Sequence, residues 1–118
     1  MDKTNLELNT AVWDRDSSLK RLMGKEDLLN TVTEIFIMEA PDRINELQQA
    51  VDSGDCEIIS RVAHTIKGVA ANISGLELQK IAADIESNAR QGEMNKVLEL
   101  FSDLIAANER LIQEINKN

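Results

Sequence analysis

The residue with the greatest capacity for chemistry is His64, which is the only histidine in a chain of 118 residues. Lys67 and Gly68 follow it at the distance of one helical turn, so in a helix all three would lie on one face. An imidazole can act as a nucleophile, transfer protons or bind a metal. Metal binding is disfavoured, because the chain has one cysteine, Cys56, and one histidine with one cysteine does not make a zinc site.

The orientation of His64 determines whether its ring is available to another molecule. In the helix predicted around it, Val62, Ile66 and Ile73 fall within about 40° of one another and form an apolar stripe. His64 lies about 200° from Val62 and is therefore expected to face solvent. The stripe also takes in Ile58 and Val69 and is widened on one side by Ile59, Ala63 and Ala70.

The predicted surroundings of His64 combine positive charge with small side chains. Its neighbours on the helix surface are Ser60, Arg61, Lys67, Gly68 and Ala71. A glycine in the middle of a helix costs about 1 kcal/mol relative to alanine, but it lets another backbone approach closely. An exposed imidazole beside cations, with little bulk on one side, suits a phosphoryl acceptor for a docked partner. The alternative is an incidental surface histidine.

The elements that position His64 are predicted from hydrophobic periodicity, which is helical along the chain. The chain has five glycines and one proline, and no segment alternates with the period of two that is typical of strands. Long helices are expected over about 25–52, from Asp55 through His64, from Ser74 to Gly92, and over the C-terminal segment. With a short helix before Gly24, the pattern predicts an all-α fold, an antiparallel up-down four-helix bundle with a short additional N-terminal helix.

The predicted helix ends rest on capping residues and on the proline. Ser74 and Glu77 have the spacing of a capping box. Pro41 predicts a kink or a local break near residues 38–41. The other candidate N-cap residues are Asp14, Asp16, Ser17 and Asp55.

Composition restricts the classes of partner and the cellular setting. A net charge of -8 disfavours binding to nucleic acid and to anionic membranes. No apolar run approaches the roughly 18 residues of a membrane-spanning helix, and the start of the chain lacks the pattern of a signal peptide. A lone cysteine fits a reducing compartment, so a cytoplasmic location is expected. Residues 1–10 are polar and aperiodic and are interpreted as a linker or a cloning remnant, which leaves 11–118 as the domain.

The motif around the histidine resembles a known family. His64-x-x-Lys67-Gly68, followed by small residues and then Leu78, is similar to the signature of histidine-containing phosphotransfer (HPt) domains. These domains are helical bundles that relay phosphoryl groups between receiver domains in bacterial and plant phosphorelays.

The resemblance covers nearly the whole chain. Family members are similar to it in the short opening helix, in the long helix with Phe36 and then Pro41, and in the Gly54–Asp55 turn. They also share a small-residue turn after the histidine helix and a leucine-rich last helix. Ser74 departs from the family pattern, because many members carry glycine ten residues after the histidine.

The resemblance implies a role for each matching residue. His64 would be the nucleophile, carrying the phosphoryl group on Nε2, and Lys67 would stabilise negative charge on the phosphoryl oxygens. Gly68 would admit the partner's active-site loops. The further residues proposed to contact a partner are Ser60, Arg61, Ala71 and Met38, the last of which falls opposite the buried stripe of its own helix.

The family also implies partners and a division of labour. Response-regulator receiver domains would dock on the histidine face and bring the acidic residues and Mg²⁺, so no cofactor is expected on this domain. The domain would be a monomer that relays a phosphoryl group without kinase activity of its own. It could be a module of a membrane-anchored hybrid sensor kinase acting in cis, without itself contacting the membrane.

Two alternatives remain at this stage. The domain could be the phosphoacceptor of a chemotaxis-type histidine kinase, which would then be its donor. It could also be a non-catalytic helical adaptor bundle in which the histidine is incidental.

Overall fold

The computed structural model of the chain describes residues 11–117, which form five α-helices and no strand. They are α1 (Arg15–Arg21), α2 (Glu26–Ser53), α3 (Cys56–Asn72), α4 (Leu76–Arg90) and α5 (Met94–Asn116). The predicted all-α class, with four long helices after one short helix, is confirmed. The interpretation of residues 1–10 as a linker lies outside the described residues.

The hydrophobic core is mainly aliphatic, with Phe36 and Phe101 as its buried aromatic residues, and lies among α2 to α5. Helix α3 packs most extensively on α4, α4 packs on α5, and α5 also contacts α2. Turns of two or three residues join these helices, and such short turns make successive helices antiparallel neighbours. The fully buried side chains include Leu47, Ile59, Ile85, Val97, Leu104 and Leu111.

Helix α3, which carries His64, buries a slightly different stripe from the one predicted. Ile66 and Ile73 are buried as expected, but Ile58 is 38% exposed, so its predicted place in the stripe is wrong. The reason is that the buried side of the helix is centred nearer to Ile59 and Ala63, both of which are fully buried.

Of the candidate N-caps, Asp14 caps α1 and Asp55 caps α3, whereas Asp16 and Ser17 lie inside α1 and cap no helix. The Asp14 side chain accepts a hydrogen bond from the Ser17 amide at 3.2 Å. The Asp55 side chain accepts from the amides of Glu57 and Ile58 at 3.0 and 3.2 Å. Each cap binds amide groups that have no partner within the helix and thereby defines where the helix begins.

Helix α2 runs through Pro41 without interruption, so the predicted local break is wrong. A proline inside a helix removes one amide donor, which leaves the carbonyl of Ile37 without its usual partner. Pro41 lies on the exposed side of α2, where water can bind such a carbonyl, while Phe36 and Ala40 are buried on the opposite side.

The predicted capping box at the start of α4 is also wrong. The N-cap is Gly75 rather than Ser74, and Ser74 has a left-handed backbone with φ of +59°. Left-handed backbone is the conformation that glycine adopts most readily, so serine adopts it here at a higher conformational cost than glycine would. The buried Ser74 hydroxyl accepts a hydrogen bond from Arg21 instead of capping the helix.

The segment before α2 is fastened to the turn between α3 and α4. The indole Nε1 of Trp13 donates to the carbonyl oxygen of Ile73 at 2.8 Å. The Asp14 amide donates to the carbonyl oxygen of Ser74 at 2.9 Å, and the Glu77 amide donates to the carbonyl oxygen of Ala11 at 3.0 Å. Residues 11–21, here called the N-terminal strap, therefore hold the turn that follows the histidine helix.

Candidate functional site

His64 projects from the outer face of α3, as the helical periodicity predicts. Its side chain is 64% exposed. One turn further on, Gly68 leaves the surface open, because a Cβ atom built there would meet no neighbouring atom within 4 Å. The ring of His64 is therefore accessible to a large partner.

A buried carboxylate from the neighbouring helix binds this ring. Glu86 of α4 has only 4% of its side chain exposed, and its Oε2 lies 2.9 Å from Nδ1 of His64. The ammonium of Lys67 lies 2.8 Å from the other oxygen, Oε1. Arg90, one turn further along α4, places its guanidinium 2.6 Å from Oε2.

Arg90 also ties α4 to α3. Its Nε donates to the hydroxyl of Ser60 at 3.2 Å. Ser60, which the periodicity places on the exposed face, is buried against α4 through this contact. Ser60, His64, Lys67, Glu86 and Arg90 form one connected hydrogen-bonded cluster, referred to below as the Glu86 network.

The charge state of Glu86 follows from its surroundings. Burial disfavours the ionised form and would raise the pKa of Glu86. The hydrogen bonds from Lys67 and His64, together with the charges of Lys67 and Arg90, outweigh burial and hold the pKa of Glu86 below its ordinary value. Glu86 is therefore an anion at neutral pH.

An ionised carboxylate fixes which nitrogen of the ring carries the proton. It can only accept hydrogen bonds, so Nδ1 of His64 is the protonated nitrogen and donates to Oε2. In the neutral ring the lone pair then resides on Nε2, the nitrogen that does not contact Glu86. The Glu86 network thus orients the ring and leaves the lone pair on the nitrogen that makes no contact with Glu86.

Beside the network lies an open cleft of about 330 Å³. Lys67 and Arg90 contribute to its walls, and the small side chains of Ala83 and Ser87 leave room between them. Two cations and one anion leave an excess positive charge around Glu86, in a chain whose net charge is -8. The surroundings of His64 therefore favour an added anionic group.

The other residues predicted to contact a partner lie outside the hydrogen bonds of the network. Arg61 is exposed and Ala71 is partly exposed, both on α3. Met38 is 74% exposed on α2. Within residues 11–117, no three histidine, cysteine or acidic side chains come together as potential metal ligands.

Sequence reasoning missed Glu86 and Arg90. A signal for Glu86 was present, because it lies four residues after Ala82 and three before Ala89, inside the buried stripe of α4. A carboxylate at a buried position requires a hydrogen-bonded or charged partner. The sequence does not show that this partner comes from the histidine helix.

Comparison with known proteins agrees with this fold. The sequence profile of the Hpt domain matches residues 31–115. The structure is similar to that of histidine-containing phosphotransfer protein B from Pseudomonas aeruginosa PAO1, with a TM-score of 0.82 and 20% identity over 90% of this chain and 92% of that chain. It is also similar to the HPT domain of an Hpt sensor hybrid histidine kinase from Shewanella, with a TM-score of 0.62 and 15% identity over 87% and 95% of the two chains. No curated protein matches the sequence significantly.

Residues 11–117 thus form a helical bundle with an exposed histidine on its outer face, and a carboxylate of the neighbouring helix holds the ring. Because the profile match covers more than half of the sequence, the chain belongs to the Hpt domain family. Hpt domains act in general as histidine carriers in phosphorelays, and they interact with receiver domains of response regulators. No helix between residues 11 and 117 is long and apolar enough to cross a membrane.

Proposed function

We propose that His64 accepts a phosphoryl group from the phosphoaspartate of one receiver domain and passes it to the aspartate of another. The observation that carries this proposal is the contact of Nδ1 with the buried Glu86, which leaves Nε2 exposed and unprotonated in the neutral ring. A nucleophile held in one orientation needs little rearrangement when the partner docks.

The transfer step is a displacement at phosphorus. The lone pair of Nε2 forms a bond to phosphorus, and the bond between phosphorus and the aspartate oxygen breaks with its electron pair going to that carboxylate. Negative charge on the phosphoryl oxygens is then stabilised by nearby cations. In this proposal Lys67 stabilises that charge, and the support is that its ammonium binds Oε1 of the same carboxylate that contacts His64 and can move from there to the phosphoryl group.

The remaining catalytic groups belong to the partner in this proposal. The receiver supplies acidic residues and Mg²⁺, and this domain binds no cofactor of its own. Gly68, Arg61, Ala71 and Met38 contribute the docking surface, with Gly68 at the point of closest backbone approach. The domain acts as a cytoplasmic monomer, whether alone or as a module of a hybrid sensor kinase.

Substitution of His64 tests the assignment of the phosphoacceptor. His64→Gln is expected to abolish acid-labile labelling by a phosphorylated receiver. The variant should remain folded and lose about 1 kcal/mol of stability, because Glu86 keeps two of its three donors. Glu99→Gln, an exposed change on α5, is the control. Labelling of His64→Gln at the rate of the unmodified domain would disprove the assignment.

Lys67→Ala tests the role of the cation separately from docking. We expect a transfer rate reduced on the order of 10- to 100-fold, since one charge-stabilising group is lost. The affinity for the receiver, measured by calorimetry, should change much less, because Lys67 is directed to Glu86 in the unphosphorylated domain. A large loss of affinity with an unchanged rate at saturation would make Lys67 a docking residue instead.

The same assay separates the alternative functions. Labelling by an ATP-charged chemotaxis-type kinase, with no labelling by any receiver, would identify such a kinase as the donor. Absence of labelling by every receiver and every kinase would favour the adaptor bundle.

A further inference from the structure

The Glu86 network constrains the histidine after phosphoryl transfer as well as before it. Once Nε2 carries the phosphoryl group, the ring is a cation if Nδ1 keeps its proton and neutral if Nδ1 releases it. The neutral ring would direct a lone pair at Oε2 of Glu86 from 2.9 Å, so that two acceptors would face each other.

The charged groups around Glu86 favour the cationic ring. Lys67 from α3 and Arg90 from α4 are the charged side chains that face this carboxylate, and they keep it ionised. An anion within hydrogen-bond distance stabilises a positively charged ring. The two oxygens are also used differently, because the ring contacts Oε2 while Lys67 contacts Oε1. Movement of Lys67 to the phosphoryl group would therefore free Oε1 of its cation without breaking the contact with the ring.

We propose that phosphorylated His64 keeps its proton on Nδ1 at and above neutral pH, with Glu86 as its counterion. This inference rests on the proposed function, in which Nε2 carries the phosphoryl group. Glu86 is then a positioning residue that acts on the phosphoryl group through the ring.

The retained proton determines how readily the phosphoryl group leaves. When an acceptor aspartate attacks phosphorus, the bond between phosphorus and Nε2 breaks and its electron pair returns to Nε2. A cationic ring departs as neutral imidazole with the proton still on Nδ1. A neutral ring would depart as imidazolate, a much poorer leaving group. The network thus keeps the carried group ready for transfer, and no proton has to be gained or lost in either direction.

The single histidine allows a direct measurement of this proton. The domain is labelled with ¹⁵N-histidine and phosphorylated with phosphoramidate, so that loading does not depend on a receiver. The one labelled ring should show phosphorus coupling at Nε2 and a bonded proton at Nδ1 from about pH 6.5 to pH 8. An unprotonated Nδ1 in the unmodified domain at about pH 7 would overturn the inference, whatever the behaviour of the variants.

A pH profile of phosphate release gives a second readout. Phosphorylated Glu86→Gln should lose the Nδ1 proton at a lower pH than the unmodified domain. The decline of its phosphate release rate with rising pH should therefore begin at a lower pH. At about pH 8 the release rate should be on the order of tenfold lower in Glu86→Gln, which corresponds to about one pH unit of displacement. Glu99→Gln, an exposed carboxylate on α5, should follow the unmodified profile. Superimposable profiles for the unmodified domain and Glu86→Gln would overturn the inference.

These results are independent of the proposed relay. Failure of every receiver to load His64 would disprove the proposed function, while the ring measured after loading with phosphoramidate would still report on Glu86.

Discussion

The two carboxylate oxygens of Glu86 contact three donors, and this arrangement separates the orientation of the His64 ring from the position of Lys67. Oε2 receives the ring nitrogen of His64 and the guanidinium of Arg90, whereas Oε1 receives the ammonium of Lys67. Ring orientation therefore does not depend on where Lys67 is. In the proposed transfer, Lys67 would therefore move from Glu86 to a phosphoryl oxygen while the ring of His64 remains aligned.

The depressed pKa of Glu86 predicts an acid dependence of stability. Because the folded state favours the ionised form, this carboxylate contributes stability above its ordinary pKa of about 4.5, and the contribution is lost as pH falls through the lower pKa of the folded state. The free energy of unfolding should fall more steeply below about pH 4.5 in the unmodified domain than in Glu86→Gln. Urea denaturation at several pH values measures the difference.

The control for this titration is Glu99→Gln, which removes an exposed carboxylate. Its stability should follow that of the unmodified domain at each pH. Hydrogen bonds from Ser17 also hold the pKa of Asp14 below its usual value, but Asp14 is present in every variant and its contribution is shared. A parallel decline for the unmodified domain and Glu86→Gln would contradict the assigned role of Glu86.

Part of the site could be predicted from the sequence, because His64, Lys67 and Gly68 share one helix. Their relative placement follows from helical geometry alone. Glu86 and Arg90 could not be assigned, since their contact with His64 depends on the register between α3 and α4. That register is set by side-chain packing between the two helices, which periodicity within one helix does not specify.

At the scale of the element, Gly68 lowers the stability of helix α3, although packing does not require a glycine at this position. The position lies within a helix of 17 residues and faces open space. Gly68→Ala should stabilise the domain by about 1 kcal/mol, and Gly68→Gln by somewhat less. If a partner backbone approaches here, Gly68→Gln should nevertheless slow transfer on the order of 100-fold, because displacement by about 1 Å is that costly. Thermal unfolding and receiver-to-domain transfer rates test both parts.

Gly75→Ala provides the matched comparison. A Cβ atom at Gly75 would lie 2.6 Å from Cδ2 of the fully buried Leu111. This substitution should lower stability by about 1–3 kcal/mol through overpacking, the opposite sign to Gly68→Ala. Its transfer rate should stay near that of the unmodified domain under conditions where it is folded. A Gly68→Gln domain that is more stable and transfers at the normal rate would show that no backbone comes close to this position.

The first residues of helices could be predicted where the capping side chain is close in sequence. They could not be predicted where a segment distant in sequence binds the turn before the helix. The caps at Asp14 and Asp55 use side chains within three residues of the amides they bind, so the sequence reveals them. The turn at Ser74 differs, because Trp13 and Arg21 of the N-terminal strap bind it from more than 50 residues away. A serine that could cap α4 is thereby used for another contact.

For the whole molecule, charge is unevenly placed in a way that suits an acidic partner. The chain has 21 acidic and 13 basic residues, yet Lys67 and Arg90 adjoin His64, and Arg61 lies exposed on the helix that carries His64. A local basic surface on an acidic molecule attracts an acidic active site at short range, while the net charge opposes nonspecific association.

The isolated domain is expected to be monomeric and to bind no ATP. The bundle buries its main apolar faces internally, and the sequence has neither a Walker motif nor the glycine-rich loop of a kinase. Light scattering over a range of concentrations should give the mass of one chain. Titration with Mg-ATP should give no heat of binding. Micromolar affinity for the nucleotide would contradict the expectation that the domain has no kinase activity of its own.

The N-terminal strap has a consequence for the order of refolding. Most contacts among α2 to α5 join helices that are neighbours in the chain, whereas the bond from Trp13 to Ile73 spans 60 residues. Closing a long loop is entropically unfavourable and slow relative to forming local contacts. The four long helices can therefore assemble before the strap docks. Trp13 is the only tryptophan, so indole fluorescence follows the docking of the strap while circular dichroism follows the helices.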